Sequence, residues 1–341
     1  MAEGILMAIS RTKPVDLVLA GGGVKGIGLV GAVVKLMEAG YRPQRVAGSS
    51  AGSIVGALVA AAAKNDQMSP QEVADLALSL DYRKFRDPGP VQRLPLVGAS
   101  WAILQGSGLY QGNYARSFVA DQLATLGVRT FADLRLDDDQ LPEEQRYRLV
   151  VTAADVTTGQ LVRLPWDYQR VYGLDPDEQL VADAVRASMS IPFVFRPVTL
   201  TSAVGRMSTL VDGGLLSNYP IDSLDRCDGK KPRWPTFGVT LLPNLPENNH
   251  MVIPALAPLQ LFGGPSLLED VITTVLVGRD QAYLNLPWVS ARTVRVDSSG
   301  TGVLDFDITQ PEIDALYRRG YEAATTFLST WDEKTYLTRF R

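Results

Sequence analysis

Ser50 stands in GSSAG (48–52), between a short apolar run and an alanine-rich stretch, and Asp212 opens DGG (212–214) behind the apolar run TLV. A serine hydroxyl becomes a useful nucleophile only when a base takes its proton, and its attack on an acyl carbonyl creates an oxyanion that needs preorganised N–H donors. The sequence holds a candidate for each need. Gly48 and Gly52 flank Ser50 where bulkier residues would clash across a sharp strand-to-helix bend, and that bend presents the hydroxyl at the positive end of a helix. Asp212, at the C-terminal end of a strand and followed by Gly213 and Gly214, is placed to hydrogen-bond the serine directly. Each motif alone has a plain structural alternative of equal weight: a glycine-rich turn with an N-cap serine at 48–52, and an Asp-Gly turn joining two strands at 212–214.

A third cluster, GGGVKG (21–26), follows the apolar run VDLVLA. Gly21, Gly23 and Gly26 fit G-x-G-x-x-G, the spacing of a dinucleotide loop. Such a loop needs an acidic residue about 20 positions later to hold the ribose. Ser50 and its glycines occupy that place instead, and the pattern is not that of a P-loop either. A glycine backbone that approaches closely without side-chain obstruction suits an oxyanion, so Gly21, Gly22, Gly23 and Gly26 are the candidate oxyanion-hole residues. Lys25, inside the loop, has two even readings, attracting an anionic head group or capping the loop. The one histidine, His250, lies in LLPNLPENNHM. The order Ser50, acid, His250 matches the α/β-hydrolase triad, but the elbow sits on the second strand and the His250 loop reads as solvated, so a surface histidine is the preferred reading.

These residues need a scaffold. A chain of 341 residues, 46% hydrophobic and 21% charged, suits one α/β domain over 1–341 with its core at about 15–328. VDLVLA reads as a strand buried on both faces. The helix after it, Gly26 to Ala39, carries Ile27, Val30, Val33, Val34 and Met37 at three- and four-residue steps and ends before Gly40. RVAGSSAGSIVGALVAAAAKN (45–65) repeats the strand, turn and helix pattern, which argues for a parallel sheet. Ser69, Pro70 and Glu72 open a helix through Leu80. Residues 88–112 lack a period and form a candidate lid or surface insertion. Further elements are expected as a helix at 113–126, a hairpin turning at Thr158 and Gly159, a helix at 181–188, strands at 209–211, 237–242 and 293–296, and helices at 267–283 and 311–328.

The net charge of −4 and the lack of any basic block argue against nucleic acid as a partner. A single cysteine, Cys227, provides neither a disulfide framework nor metal-ligand spacing, and the acidic run 137–139 lacks the spacing of an EF-hand. No metal and no cofactor are expected. No basic n-region with an apolar core opens the chain, and no run reaches the ~18 apolar residues of a spanning helix, so the expectation is a cytoplasmic protein with at most peripheral membrane contact.

Taken together, the chain resembles the patatin-like phospholipases. The resemblance rests on GGGVKG as oxyanion loop, GSSAG as elbow and DGG as the second catalytic motif. It extends to RASMSIPFVFRPV (186–198), NYP (218–220) and DFDIT…YRRGYEAATTFL, and spans roughly 15–328. It implies a three-layer α/β/α sandwich with a mostly parallel central sheet. It also implies a calcium-independent Ser-Asp dyad hydrolase of phospholipids or lysophospholipids, with Ser50 as nucleophile, Asp212 as base and N–H groups of Gly22, Gly23 and their neighbours on the oxyanion. A carboxylate of ordinary pKa near 4 is a weak base for this task, so burial must raise its basicity or the oxyanion donors must carry more. Trp101 and Phe262 are the apolar residues expected to contact lipid. Two rival activities remain open, a triad esterase using His250 and a serine acyltransferase.

Overall fold

A computed structural model of the chain describes residues 12–65, 68–87, 108–242 and 281–340. The apolar run after Pro14 is β1 (Lys13–Leu19), fully buried from Val15 onward. A 3-10 turn, Gly23–Gly26, leads into α1 (Ile27–Glu38), which stops at Gly40 in the left-handed region (φ 87°). β2 (Tyr41–Ser49) runs into α2 (Ala51–Asn65), and a full capping box between Ser69 and Glu72 starts α3 (Pro70–Leu78). After α4 (Asn113–Thr125) come the hairpin β3 (Leu149–Asp155) and β4 (Gln160–Leu164), then α5 (Val181–Ser188), β5 (Val198–Thr201) and β6 (Met207–Asp212). The chain closes with β7 (Thr236–Leu242), β8 (Thr293–Asp297), α6 (Gln310–Thr330) and α7 (Glu333–Phe340).

The strands form one sheet in the order β5-β6-β3-β2-β1-β7-β8, with β4 also on β3. Pairs among β3, β2, β1, β7 and β8 are parallel; β4, β5 and β6 add an antiparallel margin. Handedness explains the layers. Stepping from β1 to β2 to β3 moves one way across the sheet, and right-handed crossovers put α1 and α2 on one face. There Leu17, Leu19, Val46 and Leu149 join the main core. β7 to β8 steps the other way, and Leu284 and Val289 from its connection meet Val18, Ala20, Ala47 and Val150 on the opposite face, together with Tyr219 and Ile221. α6 returns to the first face, where Gly320 lies so close to the carbonyl of Gly28 that a side chain would overlap it. The architecture is the expected α/β arrangement around a mostly parallel sheet.

Several elements exceed the reading from sequence. β2 begins at Tyr41 rather than Arg45, because the buried Arg45 guanidinium is gripped by Asp16 and the polar residue continues a buried strand. β5 escapes notice because it is four residues long and alternates between half-buried and exposed at the sheet margin. Trp101, His250 and Phe262 lie outside the described residues, as do residues 88–107 of the candidate lid and all but the end of the helix expected at 267–283.

Candidate active site

Residues 151–155 of β3 pair with β4 along one edge, so β2 and β6 share the other: β2 reaches Ser49 opposite Thr152, and β6 reaches Asp212 opposite Ala153. The two strands run in opposite senses and meet head to head. Ser50 and Asp212 are the residues at the junction. Ser50 takes a positive φ of 50°, unusual for a side chain other than glycine's and costing about 1–3 kcal/mol. The flanking glycines make this bend possible: a Cβ at Gly48 would overlap the Gly52 carbonyl, and one at Gly52 would overlap the carbonyl of Leu19. Ser50 Oγ donates to Asp212 Oδ2 at 2.6 Å. The other carboxylate oxygen, Oδ1, accepts the Gly214 N–H at 2.7 Å. Gly213 is packed against the Thr152 carbonyl, with no room for a side chain. Burial pushes the Asp212 pKa up to about 7, against the pull of the Ser50 and Gly214 hydrogen bonds. Desolvation thus gives this carboxyl a basicity that an ordinary carboxylate lacks.

The loop 21–26 lies beside Ser50, but its four glycines divide the work. Gly21 is not an available donor: its N–H donates to the Asn218 carbonyl at 2.9 Å, and the Asn218 Nδ2 returns to the Gly21 carbonyl at 3.3 Å. Gly26 is a packing position, where a Cβ would come within 2.9 Å of that of Ala51. Gly22 and Gly23 are the two whose N–H groups meet no acceptor among the described residues. Gly23 sits at φ 56° under the Val303 carbonyl, which also accepts the Val24 N–H at 3.0 Å and so pins the loop. Lys25 is half-buried, and desolvation lowers its pKa while the charge of Asp297 opposes the shift. Because α2 starts at Ala51, the N–H groups of Ala51 and Gly52 are also first-turn donors beside Ser50 that meet no acceptor among the described residues.

The segment at the end of α5 has a role that single residues in the sequence did not reveal. Ser188 Oγ accepts the Ser50 N–H at 2.9 Å, and the Ser190 carbonyl accepts the Asp212 N–H at 2.9 Å. Arg186 fastens this turn from behind, donating to Ser190 Oγ at 2.6 Å and to the Arg196 carbonyl at 2.8 Å. One short stretch therefore holds both Ser50 and Asp212, and it lies inside the segment 186–198 that the sequence marks only as a whole. Ser188→Ala is expected to lower kcat roughly tenfold, the equivalent of about 1.4 kcal/mol for a buried N–H left unpaired, with KM nearly unchanged. Steady-state kinetics on a soluble ester checks this, and an unchanged kcat would show the contact to be passive.

Residues 17–225 match the Patatin-like phospholipase family, a span that contains all three motifs. The chain belongs to that family. It therefore falls among lipid acyl hydrolases as a general class. A relative in Bacillus subtilis (strain 168), described as "Uncharacterized protein YqhO", is 35% identical over 321 residues, covering 93% of this chain and 99% of that protein. Among solved structures, VipD from Legionella pneumophila shares the fold with a TM-score of 0.50 at 17% identity, covering 94% of this chain and 67% of that one. ExoU in its complex with SpcU from Pseudomonas aeruginosa aligns with a TM-score of 0.45 at 22% identity, over 96% of this chain and 53% of its own.

In this patatin-like domain Ser50 lies on the wall of an apolar cleft of about 580 Å³, counting the space open to solvent. Ala51, Ile54, Val55 and Leu58 line it from one side of α2, at the spacing of a single helix face. The opposite wall is aromatic: Phe85 stacks on Phe306 at 5.7 Å between ring centroids and meets Phe195 edge-on at 6.1 Å. These rings come from three distant segments, so no local pattern marked them.

Proposed function

We propose that this chain hydrolyses ester-linked acyl chains of phospholipids or lysophospholipids through a Ser50–Asp212 dyad, without calcium. The observation that carries the reading is the 2.6 Å hydrogen bond from Ser50 Oγ to a buried carboxyl whose pKa is raised to about 7, at the mouth of an apolar cleft. Asp212 takes the serine proton as Oγ bonds to the acyl carbon. The Gly22 and Gly23 N–H groups receive the oxyanion, each such donor contributing about 3 kcal/mol in comparable sites. Protonated Asp212 then gives its proton to the departing alcohol oxygen as the ester C–O bond breaks. Water attacks the acyl-serine in the second half, and the same carboxylate takes the water proton and returns one to Ser50. Backbone donors do here the work that a cation would do in polarising the carbonyl, which is the basis for the calcium-independent reading.

The test is hydrolysis of a chromogenic medium-chain ester and of a lysophospholipid in the presence of a chelator. Wild type is expected to turn over both, Ser50→Ala neither, and His250→Gln both at wild-type rate. A dead His250→Gln would instead support the triad esterase. Leu58→Trp fills the cleft and is expected to shift the preferred acyl chain to shorter lengths. An unchanged chain-length profile would mean that the acyl group lies elsewhere.

A further inference from the structure

Four large apolar side chains stand out as exposed among the described residues, and three of them share one patch: Val204 at 90%, Met207 at 67% and Val156 at 48% of full exposure. The antiparallel margin of the sheet brings them together. Val156 N donates to the Thr209 carbonyl at 3.0 Å, and Thr209 N donates to Thr157 Oγ1 at 2.8 Å, so the β3–β4 turn lies alongside β6. Met207 pairs with Thr201, and strand alternation puts Val156, Met207, Thr199 and Thr201 on one outward face, while Ser208 and Leu210 point inward and are buried. Val204 rides on the turn that joins β5 to β6.

Position and charge give this patch a direction. Thr152 of β3 is level with Ser49, and Val156 is four residues further along. At ~3.3 Å per residue the two turns project about 13 Å past the nucleophile, at the same end of the sheet. Residues 156–165 and 196–211 hold no Asp or Glu but carry Arg163, Arg196 and Arg206, in a chain whose net charge is −4. Arg196 is tied to Gln111 Oε1 at 3.2 Å and Arg163 to Ser223 Oγ at 3.4 Å. The exposed Arg206 side chain makes no ion pair or hydrogen bond among the described residues. Asp167, just past the first span, accepts the Arg163 N–H at 2.7 Å and is paired with Arg170 at 2.7 Å, so it adds no uncompensated charge. An apolar tip with an exposed arginine and no carboxylate of its own is a composition that enters the head-group region of an anionic bilayer.

We infer that the β5–β6 hairpin, with Val156 of the neighbouring turn, is the surface through which this protein rests on an anionic lipid bilayer, with the dyad held just behind it. A second copy of the chain fits less well, because a four-residue edge strand and three apolar side chains supply far less than the ~1,200 Å² of a stable interface. The inference builds on the proposed lipid hydrolysis, but its test does not depend on turnover.

The full chain carrying Ser50→Ala is floated with phosphatidylcholine vesicles with and without phosphatidylglycerol. Binding is expected only with phosphatidylglycerol. Val204→Asp with Met207→Asp is expected to weaken it at least about tenfold, and Arg206→Glu about fivefold, with salt reducing what remains. In the active enzyme the same substitutions leave hydrolysis of a short soluble ester unchanged, which shows that they fold. Failure of the parent to bind, or substituted chains that bind as it does, would overturn the inference. So would a dimer in solution that the substitutions dissociate. Loss of ester hydrolysis in wild type would count against the proposed function and leave the vesicle result standing.

Discussion

Asp212→Asn is expected to reduce kcat on a soluble acyl ester by roughly 10²–10⁴-fold, the range for a positioned general base. The amide keeps the shape of the carboxyl and can still meet Ser50 Oγ and the Gly214 N–H. It cannot accept the serine proton, so the loss falls on the chemical step rather than on binding. Ser50→Ala should lose as much, and the double substitution little more than either alone, because the two residues act as a unit. Stability supplies an independent check. Burial raises the folded-state pKa of Asp212 above its unfolded value near 4, so the stability linked to this carboxyl is fully present below about pH 4 and is lost as pH rises through about 7. Asparagine does not titrate. Melting temperatures measured between pH 4 and 8 should therefore decline less steeply for Asp212→Asn than for wild type. A variant keeping more than about a tenth of wild-type kcat would remove Asp212 from the role of base.

The second large effect is in the pH profile of the wild type. The base must be ionised to act, and its pKa is pushed up to about 7. Log kcat/KM should rise with unit slope on the acid side and level off above about pH 7, so that turnover at pH 5 is about a hundredfold below the plateau. A histidine base would titrate in a similar range, so the profile is to be measured for His250→Gln as well. An unchanged midpoint in that variant assigns the ionisation to the carboxyl. A plateau extending down to pH 5 would mean that Asp212 is ionised throughout, and the desolvation argument would fail.

The bend at Ser50 was legible because its requirement is local. A strand-to-helix bend tight enough to force φ 50° on Ser50 excludes side chains at 48 and 52, and the sequence records that as two glycines. The aspartate was legible as a motif and as the end of a strand. That β6 arrives antiparallel, head-on to β2, was not, because strand direction depends on a partner rather than on residues 207–212 themselves. The oxyanion loop was over-read for a physical reason. A glycine needed for packing, such as Gly26, looks the same in sequence as one whose N–H is kept free, such as Gly22. Ser188 was invisible for the converse reason: its hydroxyl serves a backbone group 138 residues away, and nothing in a helix-ending serine announces that. The need for a stronger base could be stated from chemistry alone, but burial, which meets it, exists only in the folded molecule.

The head-on meeting of β2 and β6 also orders events in time. Ser50 and Asp212 are 162 residues apart in the chain, and β6 is held to β3 through only three paired residues, Ala153, Ala154 and Asp155. The docking of β6 on β3 is expected to follow the local units of strand and helix, because its loop entropy must be met before the contact rewards it. In the proposed mechanism, a chain that has already built its serine bend gains its base only when β6 docks on β3. On that mechanism acyl hydrolysis would be withheld from partly folded chains, and regain of esterase activity during refolding is expected to report the docking of β6 on β3.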